Sequence, residues 1–323
     1  MIRVLVVALL VASCGGSKAT PTTSEPERLE LTSTADRILP LLPDGAQVIV
    51  EVDLARLRAN PVVGELVTQL VAGDDALAPL PGDVPTISLA EADTMVMASY
   101  GVGTSSASTI VVLSTSPGAK VPNAITLADT LVVLGPAEWT AQVEARAAIA
   151  GVSGASATPS IGAAKELRAL RDHAMPAKAP GASLRITARL PFDARVALGR
   201  ATGLETPPAQ MSIWGDVVDD MVFVVDLDAS DPGDRPARDK RASSTKRMEA
   251  SLRGVLAGLA NEPALRLVGL SPPLEGAEIV TRGTWVRAII AVGPSRLARV
   301  VERAKTFLAT PPADTVPAGA DAS

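Results

Sequence analysis

Two segments of the chain alternate apolar and polar residues in nearly the same way. Residues 45–54 read GAQVIVEVDL, and residues 181–190 read GASLRITARL. Alternation with a period of two residues is typical of a β-strand with one buried face. An amphipathic stretch follows each segment, so we predict that each half of the chain opens with a strand and a helix.

The closing segments of the two halves match more closely. Residues 132–136 (VVLGP) and 290–294 (IAVGP) both read as a strand that ends at Gly-Pro. Proline suits the first position of a helix, because its missing N–H is not needed there. In the stretches that follow, apolar residues recur three and four positions apart, which predicts a helix with one buried face. These residues are Trp139, Ala141 and Val143 in the first half and Leu297, Ala298, Val300 and Val301 in the second.

The middle of each half is predicted to form a pair of strands. The pairs are residues 94–100 with 109–114, and residues 211–217 with 221–227. The second half also contains an added helix with one apolar stripe. The stripe consists of Met248, Leu252, Val255, Leu256 and Leu259.

This order of elements predicts an α+β fold with two similar halves, each an antiparallel sheet with helices packed on one face. A parallel nucleotide-binding sheet would instead alternate strands and helices regularly. The likeness of the halves indicates an internal duplication. The alternative is that two unrelated segments share only the general patterning of α+β proteins.

The composition allows a large core but supplies few aromatic anchors. Apolar residues make up 47% of the chain and charged residues 20%, whereas aromatic residues make up only 2%. The formal net charge is −5, and no run of Lys and Arg is long enough to follow a phosphate backbone. Because nucleic-acid binding depends on basic tracks and on aromatic stacking, we expect no nucleic-acid partner.

The amino terminus carries the clearest signal for location. Arg3 precedes an apolar run at residues 4–11, and two small residues then precede Cys14, the only cysteine. The order LVASC at residues 10–14 resembles the lipobox of bacterial lipoproteins. This resemblance implies that the Cys14 thiol is diacylated, that the preceding peptide is removed and that lipid anchors the mature protein to a membrane.

Two other interpretations of the amino terminus exist. One is an ordinary secretory signal with an incidental cysteine. The other, a transmembrane helix, fits less well, because residues 4–11 are too few to cross about 30 Å of hydrocarbon. In the lipoprotein resemblance, Gly15 rather than Asp after the cysteine favours the outer membrane, on its periplasmic or surface face, over the inner membrane. A protein of the cell envelope is then a possible partner.

We divide the chain into six parts on these grounds. They are a lipoprotein signal peptide (1–13), the lipidated Cys14 with a flexible tether (14–35), the first α+β half (36–150), a linker and helix (151–180), the second α+β half (181–309) and a disordered tail (310–323). A hinge is expected around residues 151–160, which are rich in small side chains. Residues 41–54 also resemble the opening of uncharacterised exported bacterial proteins of similar size, a family that implies no activity.

Candidate catalytic residues are few. His173 is the only histidine and lies near the charged end of a predicted helix, where the local dipole favours an exposed imidazole. The second half contains an acidic cluster, which consists of Asp216, Asp219, Asp220, Asp226, Asp228, Asp231 and Asp234.

The acidic cluster does not have the spacing of a calcium loop. A helix-loop-helix calcium site needs Gly at position 6 and Glu at position 12. Counted from Asp226, position 6 is Asp231 and position 12 is Ala237. We therefore expect His173 and the aspartates to be largely exposed and scattered, and we predict no catalytic residue, no metal site and no cofactor.

Three functions are compatible with the sequence. The leading interpretation is a non-enzymatic, lipid-anchored protein of the cell envelope that acts as a scaffold or interaction module. The alternative is a periplasmic carrier or sensor that binds a small apolar ligand or lipid between the two halves, because domain junctions often hold pockets. The third is an enzyme that uses carboxylates alone, such as a glycosidase, which the scarcity of aromatic residues disfavours.

Overall fold

The computed structural model describes residues 33–72, 89–150, 167–177, 179, 181–230 and 238–309. Several predicted features lie outside the described residues. They are the signal peptide, Cys14, most of the tether, the hinge around 151–160 and the tail at 310–323.

Ten β-strands in the described residues form one antiparallel sheet. The first half contributes β1 (Val48–Asp53), β2 (Ala92–Tyr100), β3 (Ser108–Thr115), β4 (Ile125–Ala128) and β5 (Leu131–Leu134). The second half contributes β6 (Leu184–Arg189), β7 (Gln210–Val217), β8 (Met221–Asp228), β9 (Glu278–Arg282) and β10 (Trp285–Val292). The predicted α+β class is confirmed, and so are the pairings of β2 with β3 and of β7 with β8.

The two halves have the same strand order, read outward from the centre of the sheet. The full order is β4-β5-β3-β2-β1-β6-β7-β8-β10-β9. β1 and β6 pair with each other at the centre, from Val48 opposite Ala188 to Val52 opposite Leu184. A shared strand order is what a duplicated unit requires, and the duplication itself stays a prediction.

The two Gly-Pro pairs follow equivalent strands. Gly135 lies between β5 and α4 (Ala137–Ala150), and Gly293 lies between β10 and α9 (Pro294–Ala309). Pro294 is the first residue of its helix, as predicted. Pro136 precedes its helix by one residue, and its carbonyl oxygen accepts a hydrogen bond from the N–H of Thr140.

The remaining helices of the first half lie before and after β1. They are α1 (Thr34–Ile38), a 3₁₀ turn (Leu39–Leu41), α2 (Leu54–Ala59) and α3 (Gly64–Ala72). Ser33 begins α1 with a capping box, in which its hydroxyl accepts from the N–H of Asp36 while the Asp36 carboxylate accepts from the N–H of Ser33. Such reciprocal bonds satisfy two N–H groups that a helix start leaves open.

In the second half one helix follows β6, and three helices lie between β8 and β9, where the first half has none. They are α5 (Phe192–Thr202), α6 (Arg238–Asn261), α7 (Pro263–Val268) and α8 (Ser271–Glu275). The predicted apolar stripe lies on α6, where Met248, Leu252 and Leu256 are buried. No helix in the described ranges combines the length and apolar character needed to cross a bilayer.

Both faces of the sheet are covered in the first half. On β3, Val111 and Leu113 point to one side, called face A, whereas Ile110 and Val112 point to the other, called face B. Helices α2 and α3 pack in the apolar cluster on face A, and α1 and α4 pack in the cluster on face B. Our expectation of helices on one face only is therefore wrong for this half. The physical reason is the continuous apolar run of β3, since residues 110–113 are fully buried and both faces need cover.

Candidate functional site

Residues 167–177, called the connecting segment, lie on face B of the second half. Ala174 of this segment is fully buried in an apolar cluster with Trp214 of β7 and Val224 of β8. The N–H of Ala174 also donates to the hydroxyl of Ser212 at 3.2 Å. The connecting segment is thus fixed to the middle of the sheet by apolar packing and by a buried hydrogen bond.

Arg171 of the connecting segment binds two carboxylates on face B of the sheet. Its Nε and Nη2 donate to the two oxygens of Glu51 at 2.6 Å, and its Nη1 donates to Asp36 at 2.7 Å. The Arg171 side chain is only 8% exposed. Burial lowers the pKa of Arg171, but the hydrogen bonds and charges of Glu51 and Asp36 outweigh burial and raise it above its ordinary value.

The next residue of the connecting segment is also paired. Asp172 accepts from Nη1 of Arg185 at 3.0 Å. Arg185 lies on β6 directly opposite Glu51 of β1. Burial, together with the nearby charge of Arg171, lowers the pKa of Arg185. Charged groups of alternating sign therefore cross the centre of face B, where the two halves meet.

The network of charged groups on face B is most accessible to solvent at His173. Its Nδ1 lies 2.6 Å from Oδ2 of Asp226, and Arg287 donates from Nε and Nη2 to Asp226 at 2.8 and 2.7 Å. The Asp226 side chain is 1% exposed and that of His173 is 36% exposed. Because Asp226 accepts from Arg287 at both oxygens, Nδ1 of His173 is the donor in its contact with Asp226. Hydrogen bonds to Asp226 raise the pKa of Arg287 against the effect of burial.

An aromatic contact fixes the imidazole from the other side. The rings of His173 and Trp285 stack with their centroids 3.9 Å apart and an angle of 25° between the planes. Trp285 opens β10, and Arg287 follows it on the same face of the strand, two residues later. The stack and the bond to Asp226 hold the imidazole in place, and its Nε2 has no hydrogen-bond partner among the described residues.

These side chains line a cavity of about 260 Å³, called the His173 pocket. Its lining consists of His173, Asp226, Arg282, Trp285 and Arg287. Arg282 ends β9 and lies directly opposite Trp285 of β10, so both side chains leave the sheet on the same face. The β9–β10 hairpin, β8 and the connecting segment together position every group of the pocket.

The predicted exposure of the acidic cluster is wrong for three of its members. Asp216, Asp226 and Asp228 are buried, at 5%, 0% and 7% exposure. Each of these carboxylates accepts hydrogen bonds. Asp216 accepts from Arg56 at 2.8 and 2.7 Å, and Asp228 accepts from the N–H of Ser230 at 3.0 Å. The contacts of Asp226 with Arg287 and His173 are given above. A buried carboxylate needs such partners because desolvation of an unpaired charge is costly.

The rest of the cluster does not converge with these three. Asp219 is exposed and Asp220 is partly exposed, whereas Asp231 and Asp234 lie outside the described residues. Within the part of the chain that the structure describes, no group of three or more His, Cys, Asp or Glu residues could hold a metal ion. His173 joins one carboxylate of the predicted set, Asp226.

Sequence reasoning missed the three cationic and aromatic partners of that pair, and one signal could have indicated them. Val222, Val224 and Asp226 take alternate positions of β8, so they share a face. A carboxylate that continues a buried stripe predicts a cationic partner on the neighbouring strand. Arg287 is the residue directly opposite Asp226 in the register of β8 and β10.

Comparison with known proteins gives only distant structural similarity. No protein-family description and no curated protein matches the chain. Two solved structures, crystal forms I and III of TP0453, are similar at 9% and 8% sequence identity, with TM-scores of 0.40 and 0.41. Each similarity covers 83% of this chain and 97% of the other. Similarity at this level does not identify a shared function.

Proposed function

We propose that this chain is a lipid-anchored protein of the cell envelope, a non-enzymatic interaction module that acts by binding at the His173 pocket. The observation that carries the binding role is the pocket itself. The one carboxylate among its described lining residues, Asp226, is committed to Arg287 and His173. Asp226 therefore holds the polar groups of the pocket in fixed positions, as recognition of a ligand requires.

The anchor rests on the sequence. LVASC at residues 10–14 resembles a lipobox, and Cys14 is the only cysteine. A lipid at Cys14 would place the folded body beside the outer membrane, on the periplasmic or surface side. The partner or ligand would then be a component of the envelope.

The alternative of an apolar ligand between the halves has less support. β1 and β6 pair along residues 48–52 and 184–188, so main-chain hydrogen bonds occupy the junction between the halves. Face B at that junction is filled by the ion pairs of Arg171 and Arg185. A buried charge network is a poor environment for an apolar ligand.

The anchor is tested by expressing the full chain in a bacterium and separating membranes from soluble protein. The wild type should be found in the membrane fraction with an acylated Cys14 at its amino terminus, as measured by mass spectrometry. Cys14→Ser should move the protein to the soluble fraction. An unmodified Cys14 in a membrane-bound protein would contradict the proposal.

The binding role is tested by native mass spectrometry of the full chain purified from membranes. We expect a bound species with the wild type and with Arg299→Gln, which changes an exposed arginine of α9 that does not line the pocket. Arg282→Gln should lose the bound species. The recovered ligand should be unchanged after incubation with the protein. Time-dependent conversion of the ligand would instead identify an enzyme.

A further inference from the structure

We propose that the His173 pocket recognises an oxyanion, a carboxylate or phosphate group carried by a small ligand, through Arg282 and Arg287. This inference rests on the proposed binding function and names the chemistry of the ligand. Four observations support it: the charge of the pocket, its hydrogen-bonding groups, the hairpin that holds them and its size.

The charge of the pocket is positive. Asp226 and Arg287 form an ion pair at 2.7 Å and neutralise each other. Arg282 also lines the pocket, and it forms no ion pair with any described residue. Among the five residues that line the pocket, one guanidinium charge is therefore left over, and an anion is the ligand that would compensate it.

The side-chain groups of the pocket that have no hydrogen-bond partner among the described residues are almost all donors. Arg287 donates from Nε and Nη2 to Asp226, and Nη2 also donates to the carbonyl of His173. Nη1 is therefore the guanidinium nitrogen of Arg287 that is available to a ligand. No described residue accepts from the guanidinium of Arg282 or from the indole N–H of Trp285. Guanidinium groups match the geometry of carboxylates and phosphates, which accept two hydrogen bonds side by side. A ligand rich in acceptors therefore fits this lining better than one rich in donors.

The two arginines are held on one rigid hairpin. Arg282 lies opposite Trp285 in the register of β9 and β10, and Arg287 lies on the same face of β10. Gly283 at the turn has a φ of +62°, a conformation that glycine adopts without strain. The carbonyl of Thr284 accepts from the N–H of Ala229, which ties the turn to the end of β8. Donors fixed in this way lose little entropy when a ligand binds.

The size of the pocket limits the ligand to a small molecule or a small group. The cavity volume is about 260 Å³. For comparison, a cavity of about 150 Å³ accommodates a benzene molecule. A single ring with one carboxylate therefore fits, as does a phosphate group with a short substituent.

The test uses the full chain labelled with ¹⁵N at tryptophan and titrated with four probes. Benzoate and inorganic phosphate carry the two oxyanions, whereas benzyl alcohol and benzylammonium match the size of benzoate without its negative charge. The chain has three tryptophans, so three indole signals are expected, and Trp285→Phe assigns the one at the pocket.

We expect benzoate, phosphate or both to shift the Trp285 signal saturably, and the comparison of the two identifies the oxyanion. Arg282→Gln should weaken the binding about tenfold, because it removes a charge-assisted hydrogen bond. Arg282→Lys, which keeps the charge but not the two side-by-side donors of a guanidinium, should retain only part of the affinity. Arg299→Gln should bind as the wild type does, and the Trp139 and Trp214 signals should not move.

Two results would overturn the inference, and they differ in what they mean for the proposed function. If benzyl alcohol binds as tightly as benzoate and Arg282→Gln has no effect, the pocket binds ligands but does not recognise an oxyanion. If no probe at concentrations up to about 50 mM shifts the Trp285 signal, the pocket is not a binding site for small ligands of this size, and the proposed binding role fails with it.

Discussion

Arg171 and Glu51 form a two-pronged ion pair with both N–O distances at 2.6 Å, and it links the connecting segment to the central strand β1. Both side chains are almost fully buried. Because each partner lies in a low-dielectric environment, loss of Arg171 would remove the ion-pair partner of Glu51, whereas loss of Glu51 would leave Arg171 with Asp36 alone.

We expect Glu51→Ala to lower the free energy of unfolding by about 3 kcal/mol, since it removes the two-pronged partner of the buried Arg171 and leaves that charge with Asp36 alone. Urea unfolding at pH 7 measures the change. The control is Glu249→Ala, which breaks an exposed pair with Arg253 one helical turn away and should cost less than about 1 kcal/mol. If both variants lose the same small amount, the buried pair does not stabilise the fold.

The pKa of Asp36 predicts loss of stability in acid. Burial raises this pKa, but the charge of Arg171 and the hydrogen bonds from Ser33 outweigh burial and hold it below its ordinary value of 3.8. A carboxyl with a lower pKa in the folded state stabilises the protein above its unfolded pKa, and this stabilisation is lost as pH falls through the folded pKa.

The difference in stability between the wild type and Asp36→Asn should therefore be largest near pH 6–7 and should shrink as the pH falls below about 4. Urea midpoints measured from pH 7 to pH 2 would reveal it. Glu91→Gln serves as the control, because Glu91 is exposed and forms no ion pair with a described residue. A difference that is constant across the range would contradict the role assigned to Asp36.

The close contact of Gly215 with Phe223 predicts that β7 tolerates no side chain at this position. A Cβ atom on Gly215 would lie 2.4 Å from the Phe223 ring, far inside van der Waals contact. We expect Gly215→Ala to destabilise the protein by about 1–3 kcal/mol through overpacking. In thermal unfolding, the double variant Gly215→Ala, Phe223→Leu should recover part of the loss, and a loss with no recovery would place the strain elsewhere.

Two glycines of the second half should respond to alanine in opposite directions. Gly269 ends α7 with a φ of +90°, and its N–H donates to the carbonyls of Leu265 and Arg266. Gly269→Ala should cost about 1–2 kcal/mol, because L-residues avoid this left-handed conformation. Gly254 lies within α6 with open space around its Cα.

Gly254→Ala should stabilise the protein by about 0.5–1 kcal/mol, since alanine is a better helix former than glycine. Melting temperatures of the two variants, measured in the same buffer, test the pair of predictions. Equal shifts in the same direction would contradict the assignment of Gly269 as a helix end.

The sequence predicted most of the fold because apolar periodicity marks buried strands and helices. It missed β4 and β9, the two outermost strands of the sheet. An edge strand pairs on one side only, and β4 and β9 bury little of their surface. With four and five residues, they are also too short for a periodic apolar pattern to stand out.

The site was less predictable, because its members are distant in the sequence. His173 is 53 residues from Asp226, and Asp226 is 61 residues from Arg287. Local periodicity cannot show which charged residue of one strand faces which residue of another. Charge alone favoured a solvated loop for the aspartates, whereas the register of β8 and β10 brings Asp226 and Arg287 together.

The central pairing of β1 with β6 has a consequence for how the chain folds. Either half alone would present β1 or β6 as an unpaired sheet edge, and such edges promote aggregation. Each half therefore protects the other from non-native association. The sheet becomes complete only when residues more than a hundred positions apart have met, so its assembly depends on a long-range step late in folding.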